Sequence, residues 1–220
     1  IWEDKDFIEV IFRITKICNQ KCKFCFVDMT NHIYSEQYIK SEFDRIMTEN
    51  KNIFNVIVQL SGWEPLVHPK VWELVDYLLS YGKNTTISMQ TNAVFFSLKK
   101  NIEWLNKIPL KKMNFFVSFH SHIEEIYHQI TWSTNQYSKA VEWIKQLCKS
   151  WHEMKLNIVV NSFNLEYMDE YFRFIKKEFL SINPNISINI SIMSWINDEQ
   201  GYLHIKYSDL LEKINNNLDY

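Results

Sequence analysis

The chain has 220 residues, 46% of them apolar and 23% charged, and 24 Lys and Arg stand against 26 Asp and Glu for a net charge of −2. That length supports one sizeable core, and the composition is ordinary for a globular protein. There is no basic excess for non-specific nucleic-acid binding, no apolar run of about eighteen residues to span a membrane, and no signal-peptide pattern. A single cytoplasmic domain over residues 1–220 is expected.

Phe7 to Ile17 reads as a strand, and a cysteine-rich loop follows it. Ser35 to Glu49 has helical periodicity, with Ser35 placed as the N-cap. Asn55 to Leu60 is a β-branched strand; Lys70 to Tyr81 is a helix with Pro69 before it and Gly82 after it. Thr85 to Thr91 is a strand, and Leu98 to Lys107 a helix stopped ahead of Pro109. Met113 to Phe119 is the fourth strand, followed by helices over Ile123 to Gln129 and Gln136 to Lys149. Leu156 to Ser162 and Ile186 to Met193 are strands five and six, separated by a helix from Leu165 to Leu180; Ser208 to Asn217 closes the chain as a helix.

Strict strand–helix alternation implies an α/β fold with a parallel sheet, because right-handed crossovers lay each helix on a sheet face. Six units are too few for a complete eight-stranded barrel. A partial, laterally open (β/α)6 barrel fits, with a doubly wound sheet as the alternative. In either, functional residues belong at the carboxyl ends of the strands. Polar residues do gather there: the cysteine loop after strand one, Ser61-Gly62-Trp63-Glu64-Pro65 after strand two, Gln90-Thr91-Asn92 after strand three and Ser118-Phe119-His120 after strand four.

Cys18, Cys22 and Cys25 form C-x3-C-x2-C. Three thiolates so close can grip a metal centre, and an iron–sulfur cube held by three cysteines leaves one iron open to another ligand. The alternative is a zinc site completed by a distant residue such as His32 or His120, although zinc sites usually show paired C-x2-C knuckles. Cys148, beside Ile144 and Leu147, reads as a small buried helix residue. His120, His122 and His128 read as cavity lining or surface, with His120 the candidate substrate contact.

With these motifs in order, the chain resembles the radical S-adenosylmethionine (SAM) superfamily. The resemblance rests on Cys18, Cys22 and Cys25 with Phe24 before the last cysteine. It rests also on Gly62-x-Glu64-Pro65-Leu66-x-His68-Pro69, on Gln90-Thr91-Asn92, and on Val117-Ser118-Phe119-His120-Ser121, which is similar to the cyclase and peptide-modifying branch. It covers about residues 7 to 194.

The resemblance implies a radical SAM partial barrel and a [4Fe–4S] cluster on Cys18, Cys22 and Cys25. SAM would be chelated by the open iron and cleaved reductively to a 5′-deoxyadenosyl radical that takes a hydrogen atom from a substrate. By resemblance, Glu64 meets the α-ammonium of SAM, Gly62 admits backbone close to its methionine part, Phe24 lies by the adenine, Ser118 and Asn92 face the ribose or carboxylate, and Met193 touches the adenine. Trp63 replaces the family's second glycine and is expected in the cofactor site facing the substrate space. The expected substrate is a peptide, with a nucleotide or small metabolite second, and the expected electron donor is a flavodoxin or ferredoxin. No auxiliary cysteine cluster is present in the sequence. A glycyl-radical activase and a catalytically silent SAM-binding module are the competing readings.

Overall fold

The structure, a computed structural model, describes residues 7–25, 28, 30–97, 99–192 and 198–217. Its centre is one parallel sheet of β1 (Phe7–Arg13), β2 (Asn55–Ser61), β3 (Asn84–Thr91), β4 (Met113–Ser118), β5 (Glu153–Val160) and β6 (Ser187–Ile192). The strands lie side by side in chain order. A doubly wound sheet reverses direction at a switch point. This one never does, which selects the partial barrel.

The helices are α1 (Glu36–Glu49), α2 (Val71–Leu79), α3 (Lys99–Leu105), α4 (Glu124–Thr131), α5 (Tyr137–Ser150), α6 (Met168–Ile175) and α7 (Tyr207–Asn215). Ser35 caps α1 as expected, its side chain accepting from Tyr38 N. Apolar residues at helical spacing, such as Ile39, Phe43 and Met47 of α1, bury one stripe of each helix against the sheet. The strands answer with every second residue: Val56, Val58 and Leu60 of β2 are buried, and so are Met154, Leu156, Ile158 and Val160 of β5.

The other sheet face carries the alternate residues, and these are mostly polar. Gln59, Ser88 and Asn114 stand at neighbouring register positions across β2, β3 and β4, and Ser118, Asn157 and Asn189 do so across β4, β5 and β6. They bond among themselves: Gln90 to Gln59, Ser61 to Gln90, and both Asn189 and Ser191 to Asn157 Oδ1 at 2.7 Å. A closed barrel packs this space with branched apolar side chains; here it is an open polar trough.

Several boundaries differ from the sequence reading, and the helix expected over Leu165 to Leu180 is α only over Met168–Ile175, between a 3-10 turn and a π turn. β1 ends at Arg13, because Thr15 turns away to pair antiparallel with Ile33. β5 starts at Glu153. The helix expected from Leu98 is preceded by a 3-10 turn over Val94–Ser97.

Candidate active site

Four strand ends converge on one cavity at the carboxyl rim. Its lining includes Cys18, Cys22, Phe24 and Cys25 after β1, Gly62 and Trp63 after β2, Asn92 after β3, and Ser118 and His120 at β4.

The cysteine loop owes its shape to the chain around it. Cys25 N closes a turn on Cys22 O at 2.9 Å, while Lys21 N and Lys23 N donate to Thr131 O and Ile130 O at the end of α4. Gln136, at the N-cap position of α5, caps nothing with its side chain. It accepts from Asn19 Nδ2 and Gln20 Nε2 and donates to Asn19 O. Gln20 Nε2 also donates to Tyr127 Oη at 2.7 Å. Gln20 and Gln136 were missed by sequence reasoning, since lone glutamines carry no motif.

The loop after β2 is pinned to the same place. Gly62 has φ +131°, and a Cβ there would stand 2.6 Å from Thr15 O. The glycine therefore admits the backbone of Thr15, and Trp63 N and Glu64 N follow by donating to Thr15 O and Ile17 O. His68 Nδ1 accepts from Lys70 N, which leaves Nε2–H to donate to Tyr34 O at 2.8 Å. That end of the motif is structural.

Glu64 is fully buried and does not line the cavity. Its oxygens accept from Thr91 Oγ1, Asn92 N and Leu66 N at 2.8, 2.8 and 3.1 Å, so it ties the β2 loop to the end of β3. Burial pushes its carboxyl up to about 7, against the pull of those three donors. Asn92 lines the cavity, but its amide is spent on Asn19 Oδ1 at 2.8 Å and on Cys18 Sγ at 3.8 Å. Trp63 lines the cavity with its Nε1 buried and unpartnered. Met193 lies outside the described residues.

Ser118 and His120 reach the cavity because Phe119 between them points the other way. Phe119 is fully buried and sits among the rings of Tyr127, Tyr137, Tyr171, Phe174 and Phe179 at 5.8–6.2 Å. Tyr171 Oη donates to its carbonyl.

The residues fit a cluster held on one side. The thiols of Cys18, Cys22 and Cys25 are unbridged and share the cavity wall. Burial, and then the neighbouring anionic groups, push Cys18 up to about 12 and Cys22 higher. A cationic iron centre would offset both causes. Among the described residues, no three Cys, His, Asp or Glu side chains converge as a single-ion site would need, and Cys148 is buried in α5.

Comparison with known proteins gives the same picture. The family model described as the radical SAM superfamily matches residues 12–192. The GTP 3′,8-cyclase of Syntrophomonas wolfei is 28% identical over 170 residues, which is 74% of this chain and 50% of that protein. The chain thus spans about half the length of the curated relatives it matches. Among solved structures, Streptococcus suis SuiB bound to S-adenosylmethionine is 17% identical with TM-score 0.71, covering 98% of this chain and 48% of that one. Native anSMEcpe with bound AdoMet is 18% identical with TM-score 0.76, covering 97% and 59%. At these identities the likeness to the solved structures concerns the fold.

Proposed function

The chain belongs to the radical SAM superfamily, and on that premise we propose that it is the catalytic core of an enzyme that modifies a peptide by hydrogen-atom abstraction. Family members use a [4Fe–4S] cluster and SAM. Here Cys18, Cys22 and Cys25 would hold the cluster. The observation that carries the reading is the meeting of these three thiols with Gly62, Trp63, Asn92 and Ser118 around one cavity at the strand ends.

When bound, a reduced cluster and SAM supply a 5′-deoxyadenosyl radical, the cofactor's own chemistry. The protein's part is positioning. Gln136 and Asn92 hold the cysteine loop, the Asn92 amide donates to Cys18 sulfur, and N–H bonds to cluster sulfur tune its potential. Glu64 locks two rim loops together through two bonds accepted at Oε1 and one at Oε2, and the remaining acceptor position on Oε2 would take the ammonium of SAM. Phe24, Ser118 and Met193 remain proposed cofactor contacts.

The polar trough supports a peptide as substrate, since amide side chains offer both donors and acceptors to a peptide backbone. SuiB has been solved with precursor peptide SuiA, and anSMEcpe with the Cp18Cys peptide. A flavodoxin or ferredoxin is the proposed electron donor, and the cytoplasm the proposed location. No helix among the described residues is long and apolar enough to cross a membrane.

The test is anaerobic reconstitution with iron and sulfide, then dithionite and SAM. Release of 5′-deoxyadenosine by the wild-type chain and none by Cys22→Ala is the expected result. A wild-type chain that takes up iron but cleaves no SAM would overturn the enzyme reading, and zinc in place of iron would overturn the cluster.

A further inference from the structure

We infer that His120 is a binding residue for SAM, donating a hydrogen bond from Nε2–H to an acceptor on its adenosyl half; this rests on the reading that the cavity holds the cluster and SAM.

The donor's identity follows from what holds the ring. The last β4–β5 register pair is Ser118 with Asn157. Beyond it Phe119 N still donates to Asn157 O at 2.9 Å, but Phe119 O accepts from Tyr171 Oη at 2.8 Å. Val159 N donates instead to His120 Nδ1 at 3.2 Å. The imidazole takes over the sheet ladder where β4 ends. A neutral ring that accepts at Nδ1 carries its proton on Nε2.

That second nitrogen has no protein partner among the described residues, although His120 is only 2% exposed and lines the cavity. Asn164 Nδ2 bonds the His120 carbonyl at 2.8 Å and leaves the ring alone. The nitrogen opens to the cavity, so the ring presents there a donor of fixed tautomer from which a ligand atom can accept.

The neighbourhood says which ligand. The ring meets Phe24 edge-on, centroids 4.8 Å apart and planes at 86°. Phe24 immediately precedes Cys25. His120 therefore stands beside the cysteine loop, on the side of the cavity where a molecule meeting the iron would lie. Burial lowers the imidazole to about 4, so it stays neutral and does not repel the sulfonium cation. The ribose oxygens and adenine ring nitrogens of SAM are acceptors suited to such a donor.

Two substitutions separate the ring's two jobs. Asn in place of His120 puts an acceptor near Nδ1 for Val159 N–H and removes the cavity donor. Gln puts a donor near Nε2 and gives up the Val159 bond. The measurement is equilibrium dialysis of SAM against anaerobically reconstituted full-length protein at matched iron content, with thermal melting alongside. His120→Asn is expected to melt near wild type and bind SAM about tenfold more weakly. His120→Gln is expected to melt lower and bind within about threefold of wild type. Wild-type affinity in His120→Asn overturns the inference. So does equal loss of iron and of melting temperature in both variants, which would make the ring purely structural. A wild-type protein that holds iron and binds no SAM would instead bring down the reading on which the inference rests.

Discussion

Gly62 and Glu64 show how two residues of one motif hold the rim loops of the site in place. At Gly62 the φ of +131° and the 2.6 Å approach to Thr15 O act together. Gly62→Ala should destabilise the chain by about 2–4 kcal/mol, read from urea unfolding; a change within about 0.5 kcal/mol would remove the steric argument. Glu64 makes a pH prediction. Burial holds its folded carboxyl near 7, against 4.5 for the free group. Between those values the folded chain binds more protons than the unfolded one, so stability falls as pH rises through the window and levels off above it. The metal-free chain should lose on the order of 1–3 kcal/mol between about pH 5 and about pH 8 from this group. Glu64→Gln should flatten that slope, while costing stability overall by turning an NH2 toward Asn92 N–H. An unchanged slope in Glu64→Gln would refute the assignment. The motif made Glu64 conspicuous in the sequence. Its place behind the cavity wall was not legible, because that depends on Thr91 and Asn92 arriving from another strand.

The strands were legible where apolar residues alternate with neutral ones and illegible where charged residues take the alternate places. Asn55 to Ser61 announces itself through Val56, Val58 and Leu60. The first half of β5 hides, because Glu153 and Lys155 face the trough while Met154 and Leu156 face the core, and charged residues in alternation look like a loop. The overlong reading of β1 has a related cause: Ile14 and Ile17 continue the apolar run, but Thr15 leaves the sheet to pair with Ile33. Between elements, the α4–α5 junction clamps the cysteine loop, and nothing in the sequence marks it except the turn at Thr131 to Asn135. Gln136→Ala removes two accepted bonds and one donated bond from Asn19 and Gln20. It should cost about 1–3 kcal/mol and speed iron loss to a chelator severalfold, with the sheet intact by circular dichroism. Iron release at the wild-type rate would mean that the backbone bonds from Lys21 and Lys23 suffice.

At the scale of the whole molecule, the open sheet decides what can be bound. Among the described residues β1 and β6 form no pair with each other, so the trough is open along its side. By strand alternation its charged positions are Glu9 and Arg13 on β1 and Glu153 and Lys155 on β5, two of each sign. A triphosphate calls for concentrated positive charge or bidentate arginines, and this face offers neither, whereas neutral amides and hydroxyls run from Ser118 to Asn157 and Asn189. The cyclases matched by sequence are named for GTP, so the two substrate classes separate cleanly. GTP titrated calorimetrically into the reconstituted chain with SAM present should show no saturable binding below about 1 mM, equivalent to less than about 4 kcal/mol. Saturable binding in the micromolar range would replace the peptide reading with a nucleotide one. It would also require a cationic site that the trough's balanced charges do not provide, so the outcome bears directly on how far this face alone sets the choice of substrate.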